Sequence, residues 1–263
     1  MNKITQFRRD EMEIKQVLVA AVEIGECLLV SGGGVSRVED TIGRICRAYG
    51  ARETDVFSIT SSIVASVRDE DGEVYTRTKR IREYHTDFYK LDQLNQLSRY
   101  ICENQPELSE IRERLERIRQ GDGQTLVRRS LISAVIAAAF AAFFGGSWQE
   151  SLTAFCIGGL VMLFREYMNR FSINRMFLDF VAAFLVASAA YGISRTGIAS
   201  DYGEVIIGNI MLLVPGVAFV NGLRDMISGD TMSGILTVCE SVILAVFLAG
   251  GSFAAIVFWG GVI

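Results

Sequence analysis

Residues 131–146 read LISAVIAAAFAAFFGG, and this uncharged, alanine-rich stretch decides the fold. It is nearly long enough to cross the hydrocarbon layer of a membrane as a helix, which takes about 20 residues. Four more apolar runs follow it, at 151–164, 176–193, 205–220 and 232–263. Because a water-soluble helix carries charged side chains on one face, these runs predict an α-helical polytopic membrane domain with five transmembrane helices.

The charged residues stop where the apolar runs begin. Residues 1–130 contain 43 of the 56 Asp, Glu, Lys and Arg side chains. We therefore predict a small cytoplasmic α+β domain over residues 1–125 and a five-helix transmembrane domain over residues 126–263. The N-terminus lacks the apolar core of a secretory signal. Residues 1–130 contain 21 basic and 22 acidic side chains. This balance gives no net positive potential that would attract nucleic acid.

The arginines between the apolar runs predict which side of the membrane each connecting segment faces. Arg128 and Arg129 precede the first crossing, three arginines lie between the second and third, and Arg224 lies between the fourth and fifth. The positive-inside rule places these segments in the cytoplasm. We expect a multi-pass plasma-membrane protein whose N-terminal domain is cytoplasmic and whose C-terminus is outside.

The first domain reads as helices around a small sheet. Ser36 and Glu39 fit a capping box at the start of a helix, and Asp71-Gly72 predicts a turn between strands. The expected helices cover 11–30, 36–49, 88–103 and 107–120, and the β-branched run 55–67 pairs with a strand at 73–78.

Catalytic chemistry has little support. His85 is the only histidine, and the five cysteines are scattered without a CxxC pair. This pattern argues against a metal site and against a serine triad. The triple glycine at 32–34 lacks the Lys-Ser/Thr of a phosphate-binding loop. We expect no enzyme activity, no catalytic residue, no metal and no cofactor.

Three charges open the second helix, next to the glycine turn: Arg37, Glu39 and Asp40. We call them the helix-start motif. Acidic residues at this position complement the helix dipole, so a solvated helix start is one interpretation. An ion-pair latch and a contact with a polar ligand are the others.

Polar residues lie deep in the fifth crossing. Glu240 lies about 13–15 Å along the helix, and a charge near the bilayer centre costs about 2.5–3.5 kcal/mol. Ser233, Thr237 and Glu240 are spaced to share one helix face. They either form hydrogen bonds between helices or line a hydrated pathway in which Glu240 carries a proton.

The third and fourth crossings contain further candidates for a substrate or proton pathway. Asn209 lies in apolar sequence, and Pro215-Gly216 removes a helix hydrogen bond and loosens the preceding turn. Asp179 enters the third crossing about one turn from its end. A broken helix together with a deep acid is typical of transporters.

Small residues on the first crossing predict close helix packing. Ala134, Ala138, Ala142 and Gly146 recur every fourth residue. Such stripes let membrane helices approach closely, so we expect this face to contact another helix or a partner protein.

Two groups of short motifs resemble the threonine/serine exporter family, and the resemblance covers nearly the whole chain. The first group is Ser31-Gly32, Val35 and residues 37–41. The second comprises Gly208-Asn209, Leu213-Val214-Pro215-Gly216, residues 221–225, Gly229-Asp230 and Ser233-Gly234. The second group contains Asn221, a further pathway candidate, and an inner-loop motif of Arg224, Asp225 and Asp230.

The resemblance implies an exporter of small polar metabolites, either threonine/serine-type amino acids or dicarboxylates such as succinate. Family members carry two five-helix halves in one polypeptide or split them between two proteins. This chain resembles the larger subunit of a split exporter, so a second membrane subunit is the expected partner. The alternatives are a membrane-tethered ligand-sensing or hydrolytic module, and an accessory subunit whose partner alone holds the pathway.

Overall fold

A computed structural model of the chain describes residues 3–82, 86–121, 125–171, 173–197 and 201–260, with side chains from residue 14 onward. His85 lies outside these residues. The chain is mostly helical and contains one small antiparallel sheet, in keeping with the expected combination of an α+β part and membrane helices.

The N-terminal part forms two helices, a three-stranded sheet and two further helices. Its elements are α1 (Lys3–Val30), α2 (Val35–Ala48), β1 (Glu53–Ile59), β2 (Ser62–Arg68), β3 (Val74–Arg80), α3 (Phe88–Asn104) and α4 (Leu108–Gln120). The strands pair in the order β1-β2-β3, so β2 is central.

The core of this part lies between the helices and one face of β2. Ile63, Ala65 and Val67 alternate along β2 and are buried, as expected for a strand with one covered face. They belong to the same apolar cluster as Leu18 and Leu28 of α1. The helix expected over residues 11–30 therefore contributes buried apolar side chains to this core.

Two details of the predicted domain are wrong. Helix α2 begins at Val35, its N-cap Gly34 has no side-chain cap, and the Ser36–Glu39 capping box does not form. The run 55–67 is a tight hairpin of two strands, in which Ile59 pairs with Ser62. The Ser/Thr-rich run contains no Gly or Pro to mark this turn, so the strand pattern hid it.

The remaining helices are long and apolar, apart from one broken pair. They are α5 (Leu126–Phe143), α6 (Trp148–Asn169), α7 (Arg175–Ser194), α8 (Tyr202–Leu213), α9 (Gly216–Ile227) and α10 (Thr231–Gly260). Within the described residues, four helices are long and apolar enough to span a membrane, and α8 with α9 brings the number to five if the pair is one span.

The expected fourth crossing is this broken pair. α8 ends at Leu213, Val214 is extended, and α9 begins at Gly216, with a bend of 52° between the helices. Proline lacks the amide hydrogen that a continuous helix needs, so the break falls where Pro215 predicts it. The fifth crossing is one continuous helix, as predicted.

The small-residue face of α5 is shifted from the predicted stripe. Ser133, Ala134, Ala137 and Ala141 are buried, whereas Ala142 is exposed. The spacing predicts a helix that is rich in small residues. It does not predict which face of the helix is buried, because alanines lie on several faces.

The chain forms two compact units. The first contains Met1–Gly123 and Val217–Val238, and the second contains Gln124–Gly216 and Cys239–Ile263. The N-terminal domain thus packs together with α9 and the first part of α10. The predicted boundary at residues 125/126 stays a prediction.

Candidate functional site

The helix-start motif and the inner-loop motif meet in the first unit. The carboxylate of Asp225 lies beside the backbone N–H of Val35, the first residue of α2. Asp225 is 7% exposed. Gly34 has no side chain to cap α2, and the Asp225 carboxylate lies at the end of the helix whose free backbone N–H groups favour a negative charge.

A side chain at Gly34 would have to displace the flexible end of Arg224. A Cβ atom there would lie 2.7 Å from the Arg224 Nη2 and 3.2 Å from the Asp225 Oδ1. The glycine turn between α1 and α2 therefore lets α9 come near the backbone.

Glu39 holds β1 against α2. Its Oε1 accepts hydrogen bonds from the Ser58 backbone N–H at 2.6 Å and from the Ser58 hydroxyl at 3.2 Å. Burial raises the pKa of the Glu39 carboxyl above its ordinary value of 4.5. The hydrogen bonds from Ser58 lower this pKa, and the nearby charge of Asp230 raises it. Glu39 thus links the sheet to α2 and lies near the inner-loop motif.

A polar cavity of about 460 Å³ lies beside the Val35–Asp225 contact, and we call it the arginine groove. Asp40 forms a 2.9 Å ion pair with Arg44 on its rim. Arg224 lies 3.9 Å from the Asp225 carboxylate. The groove is lined chiefly by Arg37, Asp40 and Arg44 of α2, Asn95, Ser98 and Arg99 of α3, and Arg224 and Asp225 of α9.

Arg224 and Asp225 lie in the last turns of α9, and only Asp230 lies in the connection to α10. α9 packs closely on α10, because Gly222 would place a Cβ 3.1 Å from the Thr237 Cβ. Ser233 and Thr237 are buried, and the Thr237 hydroxyl donates to the Ser233 carbonyl at 3.0 Å.

Glu240 differs in burial from its neighbours on this face. Ser233, Thr237 and Ser241 are buried on α10, whereas Glu240 is exposed. At about 100° per residue, Glu240 lies about 20° around the helix from Ser233, on the side away from Thr237, so it falls at the edge of the covered face. Exposed Leu236 and Ile243 flank Glu240.

Asn209 is buried between helices of the second unit. It is 1% exposed, and its Nδ2 donates to the Val205 carbonyl at 2.9 Å. Within the described residues, its Oδ1 has no hydrogen-bond partner. A Cβ at Gly158 would lie 3.1 Å from this oxygen and 2.6 Å from the Ala137 Cβ. Gly158 therefore leaves the space that Asn209 occupies.

Three other pathway candidates lie at or near the helix break. Pro215 and Asn221 are half-buried, and Gly216 is exposed. The Gly216 N–H donates to the Val214 carbonyl at 2.8 Å, which closes a tight turn. A Cβ on Gly216 would meet nothing within 4 Å, so its role is not to admit a neighbouring helix.

Asp179 forms ion pairs with two arginines. Its carboxylate lies 2.8 Å from the Arg165 Nη2 and 3.9 Å from the Arg175 Nε, and its side chain is 2% exposed. Removing one member of a buried pair leaves the other charge uncompensated. Asp179 thus has a structural role in joining α6 to α7, whatever part it takes in transport.

The sequence reasoning missed three arginines. Arg44 and Arg99 line the groove, and Arg165 pairs with Asp179. The sequence does contain a signal for Arg165. An acidic residue near the start of one crossing and an arginine near the end of the previous crossing indicate an ion pair between the two helices. Arg99 has no such signal, because only the packing of α3 brings it to the groove.

Within the described ranges, no group of three or more His, Cys, Asp or Glu side chains is arranged to hold a metal ion. A further cavity of about 680 Å³ lies in the N-terminal domain between Cys27, Lys79, Lys90 and Arg119. It contains none of the predicted site residues.

The comparisons with known proteins define the class. A model of the "Putative threonine/serine exporter" family matches residues 19–259, and the chain belongs to this family. The "Threonine/serine exporter" of Corynebacterium glutamicum is 24% identical over 92% of this chain and 51% of its own length. The "Probable threonine/serine exporter" of Mycobacterium tuberculosis is 22% identical over 92% of this chain and 46% of its own length.

A relative of similar length is the "Probable succinate transporter subunit YjjP" of Klebsiella aerogenes. It is 20% identical over 97% of this chain and 98% of its own length. The chain thus spans about half the length of the two threonine/serine exporters and nearly all of the transporter subunit. No solved structure matches the chain.

Family membership confirms the predicted resemblance. The family is one of exporters and not of enzymes, which excludes the hydrolytic alternative. Together with the apolar helices, it makes this chain a multi-pass plasma-membrane protein.

Proposed function

We propose that this chain is one subunit of an exporter for small polar metabolites, either threonine/serine-type amino acids or dicarboxylates such as succinate. It works with a second membrane subunit of the same family. Its N-terminal domain faces the cytoplasm, where an exporter must collect its substrate.

The broken span carries the proposal. α8 and α9 are separated at Val214-Pro215 and bent by 52°. In lipid, free backbone groups cost several kcal/mol each, so irregular backbone occurs where it faces protein or a water-filled cavity. Discontinuous helices of this kind form the substrate sites of many transporters.

Buried polar groups near the break support a pathway. The Asn209 Oδ1 is buried and has no hydrogen-bond partner within the described residues. An unsatisfied buried acceptor costs about 1–3 kcal/mol, which a substrate group or water would recover. Asn209, the Pro215-Gly216 break, Asn221 and the Ser233–Thr237 face are the groups that we propose line the path.

The exposed position of Glu240 supports a second subunit. Its neighbours on α10 include exposed Leu236 and Ile243, so the carboxylate would face lipid if this chain stood alone. That placement costs about 2.5–3.5 kcal/mol. A polar group of the second subunit would remove the cost, and Glu240 would then carry a proton at the interface between subunits.

The names of the relatives support the same assignment. One relative that matches this chain over 98% of its own length is named a transporter subunit. The two threonine/serine exporters match this chain over about half of their own lengths. A protein that is a subunit is expected to need its partner for activity.

Uptake of radiolabelled serine, threonine and succinate into inside-out vesicles tests the proposal. Export from a cell becomes uptake in this geometry. We expect uptake of one substrate class when this chain and the second subunit are expressed together, and none when either is expressed alone. No uptake of any of the three substrates with both subunits present would contradict the proposal.

A further inference from the structure

We infer that the arginine groove binds the carboxylate groups of small metabolites. This assignment rests on the proposed function for the class of ligand, and on the groove itself for the site. The groove lies between α2 and α3 of the N-terminal domain and α9, all within the first unit.

The charges of the groove are unbalanced. Four arginines and two aspartates line it. Arg44 is paired with Asp40 at 2.9 Å, and Arg224 lies 3.9 Å from Asp225. In the part of the chain that the structure describes, Arg37 and Arg99 have no carboxylate within 4.0 Å. Two positive charges are therefore left for a ligand.

The chemistry of these two side chains defines the ligand. A guanidinium presents a planar fork of N–H donors that matches the two oxygens of a carboxylate. One carboxylate satisfies one arginine, and a dicarboxylate satisfies both. A zwitterionic amino acid brings an ammonium group into a positive site, so it should bind more weakly than a dianion.

The size and the walls of the groove fit a small metabolite. Its volume of about 460 Å³ lies within the range of ligand pockets, which is about 300–1,000 Å³. Asn95 and Ser98 add polar groups to the wall. Such a polar site suits a compact molecule with several oxygens and does not suit an apolar one.

The position of the groove gives binding a consequence. Arg37 belongs to α2, Arg99 to α3 and Arg224 to α9, the helix that follows the break at Pro215. A ligand held by these helices would tie α2 and α3 of the N-terminal domain to α9. It would also stabilise the folded chain, because it binds the folded state only.

Calorimetric titration of the purified full-length chain in detergent tests the site. The probes are succinate, L-serine and inorganic phosphate. We expect succinate to bind more tightly than serine, and Arg37→Gln or Arg99→Gln to weaken succinate binding about tenfold or more, because each removes one charge-assisted pair. Arg37→Lys keeps the charge without the fork and should give an intermediate loss.

Arg112→Gln is the matched control. Arg112 is an exposed arginine on α4 that does not line the groove, and its loss should leave succinate binding unchanged. Exposed arginines seldom decide folding, and the thermal midpoint of each variant verifies this.

Three results would overturn the assignment: absence of succinate binding, unchanged binding by both arginine variants, or phosphate binding as tight as succinate binding. Since this titration needs neither partner nor transport, its failure is separate from a failure of the exporter assignment. Normal succinate binding by the arginine variants, together with vesicle uptake that requires this chain, would contradict the groove assignment and leave the exporter assignment intact.

Discussion

The carboxylate of Asp225 on α9 lies beside the backbone N–H of Val35, the first residue of α2, although the two residues are far apart in the sequence. The two residues lie in the two groups of family motifs, which the sequence separates by almost two hundred positions. Their contact joins the N-terminal domain to α9, the helix that follows the break at Pro215.

Loss of this carboxylate should loosen the start of α2. A negative charge at the N-terminus of a helix stabilises it by about 0.3–2 kcal/mol, so Asp225→Ala should speed amide hydrogen exchange at residues 35–38 by about 2- to 30-fold. The double variant Asp225→Ala, Gly34→Asp should restore part of the protection, because residue 34 then supplies its own cap. Unchanged exchange in Asp225→Ala would show that the contact does not stabilise α2.

The pH dependence of stability should report Glu39. Burial raises the pKa of this carboxyl in the folded state above 4.5. The folded chain therefore keeps the proton at pH values where the unfolded chain has lost it, and stability declines as the pH rises from 4.5 through the folded pKa. Glu39→Gln retains an oxygen for Ser58 and should flatten this decline.

Thermal midpoints between pH 4.5 and 7.5 measure the effect, with Glu103→Gln on α3 as an exposed control. The control should follow the wild-type curve. Parallel curves for Glu39→Gln and wild type would show that the Glu39 proton does not contribute.

The sequence predicts some features of the fold and of the candidate site but not others. The apolar runs locate the membrane helices, and Pro215 marks the break, because backbone chemistry alone decides both. The capping box at Ser36 fails since Glu39 bonds to Ser58 instead, and that choice depends on where β1 lies. The exposure of Glu240 depends on which face of α10 is covered, which spacing does not determine.

The sequence shows the helix-start motif and the inner-loop motif, but it does not predict that they lie close together. Arg37 and Asp225 stand out as charges beside glycine turns or apolar helices, yet nothing local predicts that α9 packs on the N-terminal domain. Depth in the third crossing alone makes Asp179 a pathway candidate, whereas its ion pair with Arg165 depends on the packing of α6 and α7.

Adjacent glycines in α6 should respond differently to the same substitution. Gly158→Ala would place a Cβ 2.6 Å from the Ala137 Cβ, and overpacking of this kind costs about 1–3 kcal/mol. Gly159→Ala has its nearest contact at 3.4 Å and should be neutral or stabilising by about 0.5–1 kcal/mol through helix propensity. Thermal midpoints in detergent compare the two; equal midpoints would contradict the close packing at Gly158.

Reporter fusions test the proposed orientation. A phosphatase that is active only outside the cytoplasm should be active when fused after Ile263, because five crossings place the C-terminus outside. The same reporter in the segment between α6 and α7, which carries Arg170, should be silent. An inactive phosphatase at the C-terminus, together with an active cytoplasmic reporter there, would overturn the five-span topology.

We propose that this chain and a second subunit form one export path in which Asn209 and Glu240 take part. Initial rates of substrate uptake into proteoliposomes, with each subunit alone and both together, test it most directly. We predict uptake only with both subunits, with Asn209→Ala and Glu240→Gln assembling normally and each losing gradient-driven transport. Cys239→Ser, next to Glu240, should transport normally. Wild-type rates for both pathway variants across a range of pH, or full activity of this chain alone, would contradict a shared export path.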